Sequence, residues 1–190
     1  MTDLALASTL NRLPETLESP RLLIRVARPG DGAVMNEAVA ESAAELGAWL
    51  PWARPTPTLL ESERACRAAY ARYLLNEDLM VLFFLRDSGA LIGGGGLHRI
   101  DWELRHFEIG YWGRTKYSGQ GLITEAVAAL ASLALKDLAA SRVYLTVDTR
   151  NTKSCRVAEL AGFELEGVLR NERFDVFGRF RDTKVFSRLV

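Results

Sequence analysis

The feature that most constrains the fold is a glycine-containing turn between a predicted strand and a predicted helix. Residues 104–112 alternate in side-chain character, as a strand does, and residues 121–137 carry an apolar stripe at helical spacing. Between these two segments, Gly119 and Gly121 allow the backbone to bend sharply. A strand that is followed, after a short connection, by a helix favours an α/β domain.

The rest of the chain supplies further strands and helices around this unit. Proline-rich or glycine-containing segments separate the hydrophobic runs, and no internal repeat or low-complexity linker divides them. The predicted order is β-α-α-β-β-β-α-β-α-β-β, which gives an α/β domain with a mixed sheet. The predicted strands are 21–27, 80–87, 91–100, 104–112, 142–148, 163–169 and 179–189, and the predicted helices are 32–46, 58–76, 121–137 and 151–161.

Local signals mark where several of these elements begin and end. Asp31, Thr58 and Asn151 precede predicted helices and are residue types that cap helix N-termini. Gly162 follows the last predicted helix, as helix-ending glycines do. The glycine run 93–96 predicts that a neighbouring chain segment or a ligand approaches this strand closely.

Composition excludes several classes of function. The 24 basic and 24 acidic residues balance, so the chain lacks the basic character of most nucleic-acid-binding proteins. His98 and His106 are the only histidines, which argues against a metal site. Cys66 and Cys155 lie within apolar helical patterns, as reduced buried thiols of a cytoplasmic protein do. The N-terminus lacks the basic start of a signal peptide, and no apolar run is long enough to span a membrane.

The glycine turn is also a candidate anion site. Free amides at a helix N-terminus attract phosphate, and Arg114 and Lys116 add positive charge beside the turn. The alternative is a plain connection that needs glycine only for steric reasons. The chain has no P-loop motif, and Thr124 stands where a dinucleotide fingerprint needs its third glycine.

Several motifs in order carry a resemblance to a known family. Lys116-x-x-Gly119-x-Gly121 resembles the Q/R-x-x-G-x-G/A turn of GNAT acetyltransferases, which binds the pyrophosphate of acetyl-coenzyme A. A narrower likeness, to the RimJ/RimL type of ribosomal-protein N-terminal acetyltransferase, covers about Pro20 to Val190 and implies one GNAT domain over 1–190. That likeness rests on Trp49–Trp52, Phe107–Trp112, Ser118–Ala126, Asn151-x-x-Ser154 and Gly162–Arg170.

The resemblance implies a fold and a set of cofactor-binding residues. The family has the element order given above, with a mostly antiparallel sheet flanked by helices. Its sheet splays between the strand that ends at Trp112 and the strand Arg142–Val147, where the pantetheine arm of acetyl-coenzyme A inserts beside a bulge. The implied cofactor-binding residues are Ile109, Gly110, Tyr111, Trp112, Lys116, Ser118, Gly119, Gln120, Gly121, Leu122, Ile123 and Asn151.

Two polar residues are candidates for catalysis. Glu108 lies on the strand beside the implied thioester site and can accept the proton of an amine, with Glu172 or a water as the alternative base. Ser154 matches the N-x-x-S pattern and can assist the leaving thiolate, because the tyrosine used by many GNAT enzymes is replaced by Ala158. Cys155 lacks a partner histidine, so we expect direct transfer without an acetyl-enzyme.

The sequence says less about the acceptor. Residues 31–63 carry six acidic side chains against Arg54 alone, a net charge of −5, which predicts an acidic rim that attracts a cationic amine. Trp49 and Trp52 are candidate walls of the acceptor site. Three functions stay open: acetylation of a protein N-terminus such as that of a ribosomal protein, acetylation of a small amine, and non-catalytic binding of acetyl-coenzyme A. The protein is expected to be a monomer or a homodimer.

Overall fold

The structure is a computed structural model that describes residues 13–190. These residues form one eight-stranded sheet with helices packed against it. Its order is β1-β2-β3-β4-β5-β6-β8-β7, and every neighbouring pair is antiparallel except β5 and β6, which are parallel. This confirms the predicted mixed, mostly antiparallel sheet. The strands are β1 (Thr16–Glu18), β2 (Leu22–Val26), β3 (Leu79–Leu85), β4 (Leu91–Asp101), β5 (His106–Gly113), β6 (Arg142–Asp148), β7 (Glu164–Phe174) and β8 (Phe180–Leu189).

The helices lie on both faces of this sheet, as predicted, with small differences in their bounds. They are α1 (Gly32–Glu41), α2 (Ala43–Leu46), α3 (Leu59–Leu74), α4 (Leu122–Ser132) and α5 (Thr152–Leu160). Helix α4 continues into a π-helical turn, Leu133–Asp137. A single helix over 32–46 was wrong, because the chain leaves helical geometry at Ser42. Strand β1 was not predicted, since three residues are too few to show a strand period.

Two apolar cores, one on each face, hold the layers together. Phe107 and Ile109 of β5 pack with α4 and α5, whereas Trp112 of the same strand packs with α1 and α3. This division follows from the alternation of side chains along a strand. The two faces of β5 therefore look into different layers, and the same division governs the polar residues of this strand.

Thr58 and Asn151 cap their helices as predicted, whereas Asp31 does not. The Thr58 hydroxyl accepts from the Glu61 amide, and the Glu61 carboxylate accepts from the Thr58 amide, which makes a capping box. The Asp31 side chain makes no capping bond and instead pairs with Arg25 at 2.6 and 2.7 Å. The guanidinium of the adjacent strand competes successfully for the carboxylate, because a bidentate charged pair is stronger than a neutral cap.

The glycine run of β4 permits close approach of neighbouring strands. A Cβ at Gly96 would lie 1.8 Å from the Leu79 carbonyl oxygen, and one at Gly95 would lie 2.4 Å from that of Gly110. Both neighbours are backbone, so neither can move aside. This agrees with the predicted close approach of a chain segment.

Strands β5 and β6 part from each other beyond Glu108, as predicted. Their pairing runs from His106 to Glu108, opposite Arg142 to Tyr144, and then stops. The expected bulge within 108–112 is absent, because the β4–β5 register is continuous there and shifts instead between His98 and Asp101. The parting of the strands therefore comes from the divergence of β6 and not from a bulge in β5.

The sequence also made predictions about membrane-spanning segments, a signal peptide and the two cysteines. Within residues 13–190, no helix is both long and apolar enough to cross a membrane, while the signal-peptide prediction rests on the N-terminal residues, of which 1–12 lie outside the described part. Cys66 and Cys155 are buried free thiols, as predicted, and belong to the cores on opposite faces of the sheet.

Candidate active site

A cleft of about 790 Å³ opens where β5 and β6 part, bounded by the start of α4, by α5 and by the segment after α2. It brings together most of the predicted site residues. Lys116, Gln120 and Trp52 do not line it. The predicted residues that do are Trp49, Glu108, Ile109, Gly110, Tyr111, Trp112, Ser118, Gly119, Gly121, Leu122, Ile123, Asn151 and Ser154.

The glycine turn has the backbone conformation of an anion cradle. Gly119 and Gly121 have φ of +79° and +74°, which side-chain-bearing residues rarely adopt. Among the described residues, no hydrogen bond uses the amides of Gly119, Gln120 or Gly121, and the first amides of α4 have no helical partner. The Ser118 amide differs from the prediction, because it already donates to the Thr115 carbonyl.

A polar clamp that the sequence analysis missed holds this turn in place. Glu125, in the first turn of α4, accepts from the Ser19 hydroxyl at 2.7 Å and from Arg21 at 2.6 and 2.8 Å. Arg21 also donates to the Gln120 carbonyl at 3.0 Å. Burial opposes the ionisation of Glu125, but these hydrogen bonds outweigh it and lower its pKa. The turn is therefore fastened to the β1–β2 connection, more than a hundred residues away in sequence.

The two cations beside the turn have different surroundings. Arg114 turns away to pair with Glu37 and Glu41 of α1, and these bonds raise its pKa. Lys116 is exposed, with its ammonium 5.8 Å from the Tyr117 ring. The predicted contribution of Arg114 to the charge of the turn is therefore wrong, because α1 neutralises it. Lys116 keeps an exposed charge next to the cleft.

Glu108 is a nearly buried carboxylate that lines the cleft. Its Oε2 accepts from Arg99 at 2.7 Å and its Oε1 accepts from the Thr146 hydroxyl at 2.8 Å. The Glu108 side chain is 12% exposed, while that of Arg99 is 63% exposed. These two hydrogen bonds fix the carboxylate where β5 and β6 begin to part. Each carboxylate oxygen accepts one of them and retains a further lone pair. It can accept a proton from a group in the cleft.

Ser154 lies on the opposite face of the sheet and pairs with a tyrosine. Its Oγ is 2.7 Å from the Tyr111 hydroxyl, which is also 3.1 Å from the Ser154 carbonyl oxygen and can donate its one proton to either acceptor. Burial raises the pKa of Tyr111 to about 12, partly offset by the bond to Ser154. Asn151 accepts from the Ser154 amide at 3.0 Å and so fixes the first turn of α5. The phenol stays protonated and can supply a proton through the serine.

The remaining catalytic alternatives fit less well. Glu172 does not line the cleft, and it is bound by Arg173 and by the Thr183 hydroxyl. Ala158 is completely buried, so the position of the usual tyrosine offers no polar group. Cys155 is buried in the core and does not line the cleft, which leaves no accessible nucleophile of this type there.

The predicted acidic rim is wrong. Its carboxylates are bound individually by nearby cations or backbone amides, and only Glu45 lines the cleft. In the folded chain, cations from other parts of the sequence pair with these carboxylates and offset most of the negative charge that the count suggests. The partners are Arg25 for Asp31, Arg114 for Glu37 and Glu41, Lys153 for Glu45, the Thr58 amide for Glu61, and Arg67 with the Gly30 and Gly32 amides for Glu63.

The two predicted tryptophan walls have separate positions. Trp49 lines the cleft, whereas Trp52 is 44% exposed and packs edge-on against Trp112 with ring centroids 6.2 Å apart. Trp52 therefore supports a wall of the cleft from behind. Arg54, in the same loop, stacks over Phe177 of the β7–β8 turn at 4.7 Å, so this loop and that turn are in contact.

The residues present fit acetyl-coenzyme A. Gly119 has no atom within 4 Å of where a Cβ would lie, which leaves space beside the turn. The backbone amides of this turn that make no hydrogen bond can donate to a pyrophosphate. The unpaired edges of β5 and β6 suit the amides of a pantetheine arm. By contrast, the described residues hold no group of three or more side chains that could bind a metal ion.

Comparison with known proteins identifies the class that this fold and cleft define. A family model described as an acetyltransferase (GNAT) domain matches residues 21–164. The chain belongs to the GNAT acetyltransferase family and is an acetyl-coenzyme A-dependent N-acetyltransferase.

One sequence relative and two solved structures are similar to most of this chain. The candidate ribosomal N-acetyltransferase YdaF of Bacillus subtilis (strain 168) is 30% identical over 168 residues, which cover 88% of this chain and 91% of YdaF. The RimL acetyltransferase of ribosomal L7/L12, solved with coenzyme A, superposes with a TM-score of 0.86 at 21% identity, over 93% of this chain and 98% of RimL. The microcin C7 self-immunity acetyltransferase MccE, solved with acetyl-coenzyme A and AMP, superposes with a TM-score of 0.85 at 18% identity. The match covers 96% of this chain and 99% of MccE. At these identities the two structures show the shared fold alone.

Proposed function

We propose that this enzyme transfers an acetyl group directly from acetyl-coenzyme A to the α-amine of a protein N-terminus, with residues 20–190 acting as one catalytic domain in the cytoplasm. The observation that carries the proposal is the placement of two polar groups on opposite faces of the sheet around one cleft. Glu108 faces the layer of α1 and α3, and the Tyr111–Ser154 pair faces the layer of α4 and α5.

The cofactor side of the cleft consists of the glycine turn and α5. Acetyl-coenzyme A supplies an activated acetyl thioester. The free amides of Gly119 to Ile123 bind its pyrophosphate with the favourable end of the α4 dipole. The parted edge of β5 would hold the pantetheine arm, and Ser154, which lines the same cleft, would assist its thiol.

Proton transfer is divided between the two faces. Glu108 accepts the proton of the acceptor ammonium or amine, directly or through a water. Ser154 would donate its hydroxyl proton to the departing sulfur and be reprotonated by Tyr111, which would regain a proton from water because a pKa of about 12 keeps the phenol protonated at neutral pH. Neither cysteine is needed, in agreement with direct transfer.

The choice of a protein N-terminus as acceptor rests on the relatives. YdaF and RimL are named for ribosomal substrates, and the cleft of about 790 Å³ has room for both the pantetheine arm and the end of an extended peptide. A ribosomal protein N-terminus is therefore the proposed acceptor.

One assay tests this function against its alternatives. Thiol release from acetyl-coenzyme A is measured with N-terminal peptides, including those of ribosomal proteins, and with polyamines, amino acids and aminoglycosides. We expect turnover with peptides that is lost when the peptide N-terminus is blocked. Turnover with small amines alone would show a small-molecule enzyme, and cofactor binding without turnover of any acceptor would show a binding module.

A further inference from the structure

Arg173 of β7 and Arg181 of β8 lie on the same face of the sheet as Glu108. Asp148 lies two residues beyond the threonine that bonds Glu108, and it pairs with Thr183 of β8. Two residues further along β8 on the same face is Arg181, and the β7–β8 register places Arg173 directly opposite it. Both guanidinium groups therefore belong to the acceptor face of the cleft, which they line.

These arginines also line a small side pocket of about 80 Å³. This pocket shares Trp49, Pro51, Asp148, Arg173 and Arg181 with the main cleft, so the two adjoin. Its volume is more than twice the roughly 30 Å³ that one water occupies in the liquid, which is enough for a carboxylate group.

The carboxylates near the side pocket already have partners. Asp148 accepts from Arg150 through both oxygens, at 2.9 and 2.7 Å. Asp175 accepts from the amides of Phe177 and Arg179 at 2.9 Å and from Arg150 at 3.0 Å. Arg150 therefore binds both acids, but its single positive charge offsets only one of them, and Arg181 lies 3.6 Å from Asp148.

Arg181 retains unused hydrogen-bond donors. Its side chain is only 13% exposed, and its nearest carboxylate among the described residues is that of Asp148 at 3.6 Å, too far for a hydrogen bond. Arg173 binds Glu172 through Nε and one terminal nitrogen, which leaves its other terminal nitrogen. Like charges directly opposite on paired strands are destabilising, and Glu172 beside Arg173 and Asp148 beside Arg181 reduce that repulsion.

We propose that Arg181 and Arg173 bind an acidic side chain of the acceptor peptide, so that the enzyme prefers N-termini with Asp or Glu close to the reacting amine. This rests on the proposed function. Arg181 lies four residues along β8 from Val185, the partner of Thr146, which is about 13 Å of strand. The second to fourth residues of an extended peptide whose amine lies beside Glu108 span this distance.

The test uses matched peptides with Glu or Gln at the second, third or fourth position. For the wild-type enzyme we expect kcat/KM to be at least tenfold higher with Glu at one of these positions. Arg181→Gln is expected to reduce that ratio to near one, and Arg181→Lys to retain part of it. Arg170→Gln is the matched control, because it removes the same charge from an exposed site on β7 outside both cavities and should keep the ratio.

The possible outcomes separate the two proposals. Equal rates with Glu and Gln at every position in the wild type would overturn the acidic subsite but leave N-terminal acetylation standing. A ratio that survives Arg181→Gln, even with both rates reduced, would show that Arg181 is only structural and would also overturn it. No acetylation of any peptide, with intact cofactor binding by calorimetry, would overturn the proposed function itself.

Discussion

The hydroxyl oxygens of Tyr111 and Ser154 lie 2.7 Å apart, joining β5 to the first turn of α5. This contact places a phenol beside the first turn of α5, while Ala158 of the same helix is completely buried. The proton source of the reaction can therefore come from the strand in place of the helix.

The first prediction concerns this hydroxyl pair. Tyr111→Phe keeps the ring but removes the proton donor, so we expect kcat to fall by about ten- to a hundredfold with little change in cofactor affinity. If the two hydroxyls act as one unit, Tyr111→Phe and Ser154→Ala together should cost no more than the larger single effect. Steady-state kinetics and calorimetry measure both quantities, and Tyr73→Phe on α3 serves as the control.

The same pair makes a prediction about the leaving group. Ser154→Ala should matter less with an acyl donor whose thiol is more acidic, because that thiol departs without a proton. Parallel measurements on wild type and variant with a series of acyl donors test this. An effect independent of thiol acidity would assign Ser154 to positioning alone.

The second prediction concerns the base. Glu108→Gln retains the size of the side chain but cannot accept a proton, and we expect turnover to fall by about two to four orders of magnitude with cofactor affinity retained. Thr146→Val leaves the carboxylate but removes one of its two fixing bonds and should cost less. Full activity of Glu108→Gln would transfer the role to a water or to the unassisted amine.

The third prediction tests the glycine turn with a matched control. Gly119 and Gly178 have φ of +79° and +74°, and neither has an atom within 4 Å of a new Cβ. Valine is strained by a similar amount at both sites, about 1–3 kcal/mol. Gly119→Val should therefore weaken cofactor binding at least tenfold, while Gly178→Val should lose comparable stability and keep its affinity. Calorimetric titration measures the cofactor affinity of both variants, and thermal unfolding measures their stability. Equal affinities of the two variants would show that the cofactor does not bind at this turn.

The sequence was informative wherever a local pattern determines the structure. The turn at Gly119 and Gly121, the capping box at Thr58 and the cap at Asn151 depend on neighbours within a few residues, and all three are present. The parting of β5 and β6 was accessible only through family resemblance, since no local pattern determines where two distant strands diverge.

What could not be predicted depends on partners that are distant in sequence. The Glu125 clamp joins residues more than a hundred positions apart, and Arg114 finds its carboxylates 73 and 77 residues away. The acidic rim failed for this reason, because a charge count does not include the cations that folding brings to each carboxylate. Arg181 was missed likewise, since its place beside Arg173 depends on the β7–β8 register.

The last prediction links one buried ion pair to the pH dependence of stability. Burial opposes ionisation of Asp31, but bonds from Arg25 and the Arg28 amide outweigh it, so its pKa lies below the ordinary value of the unfolded chain. Its stabilisation is therefore present above about pH 4 and is lost as pH falls through the lowered pKa. Asp31→Asn should cost about 2–3 kcal/mol at pH 7, and the difference from wild type should shrink toward pH 3. Urea unfolding across this range measures it, with Asp87→Asn, an exposed aspartate, as the control; a difference that is constant with pH would mean that the pair contributes through packing alone.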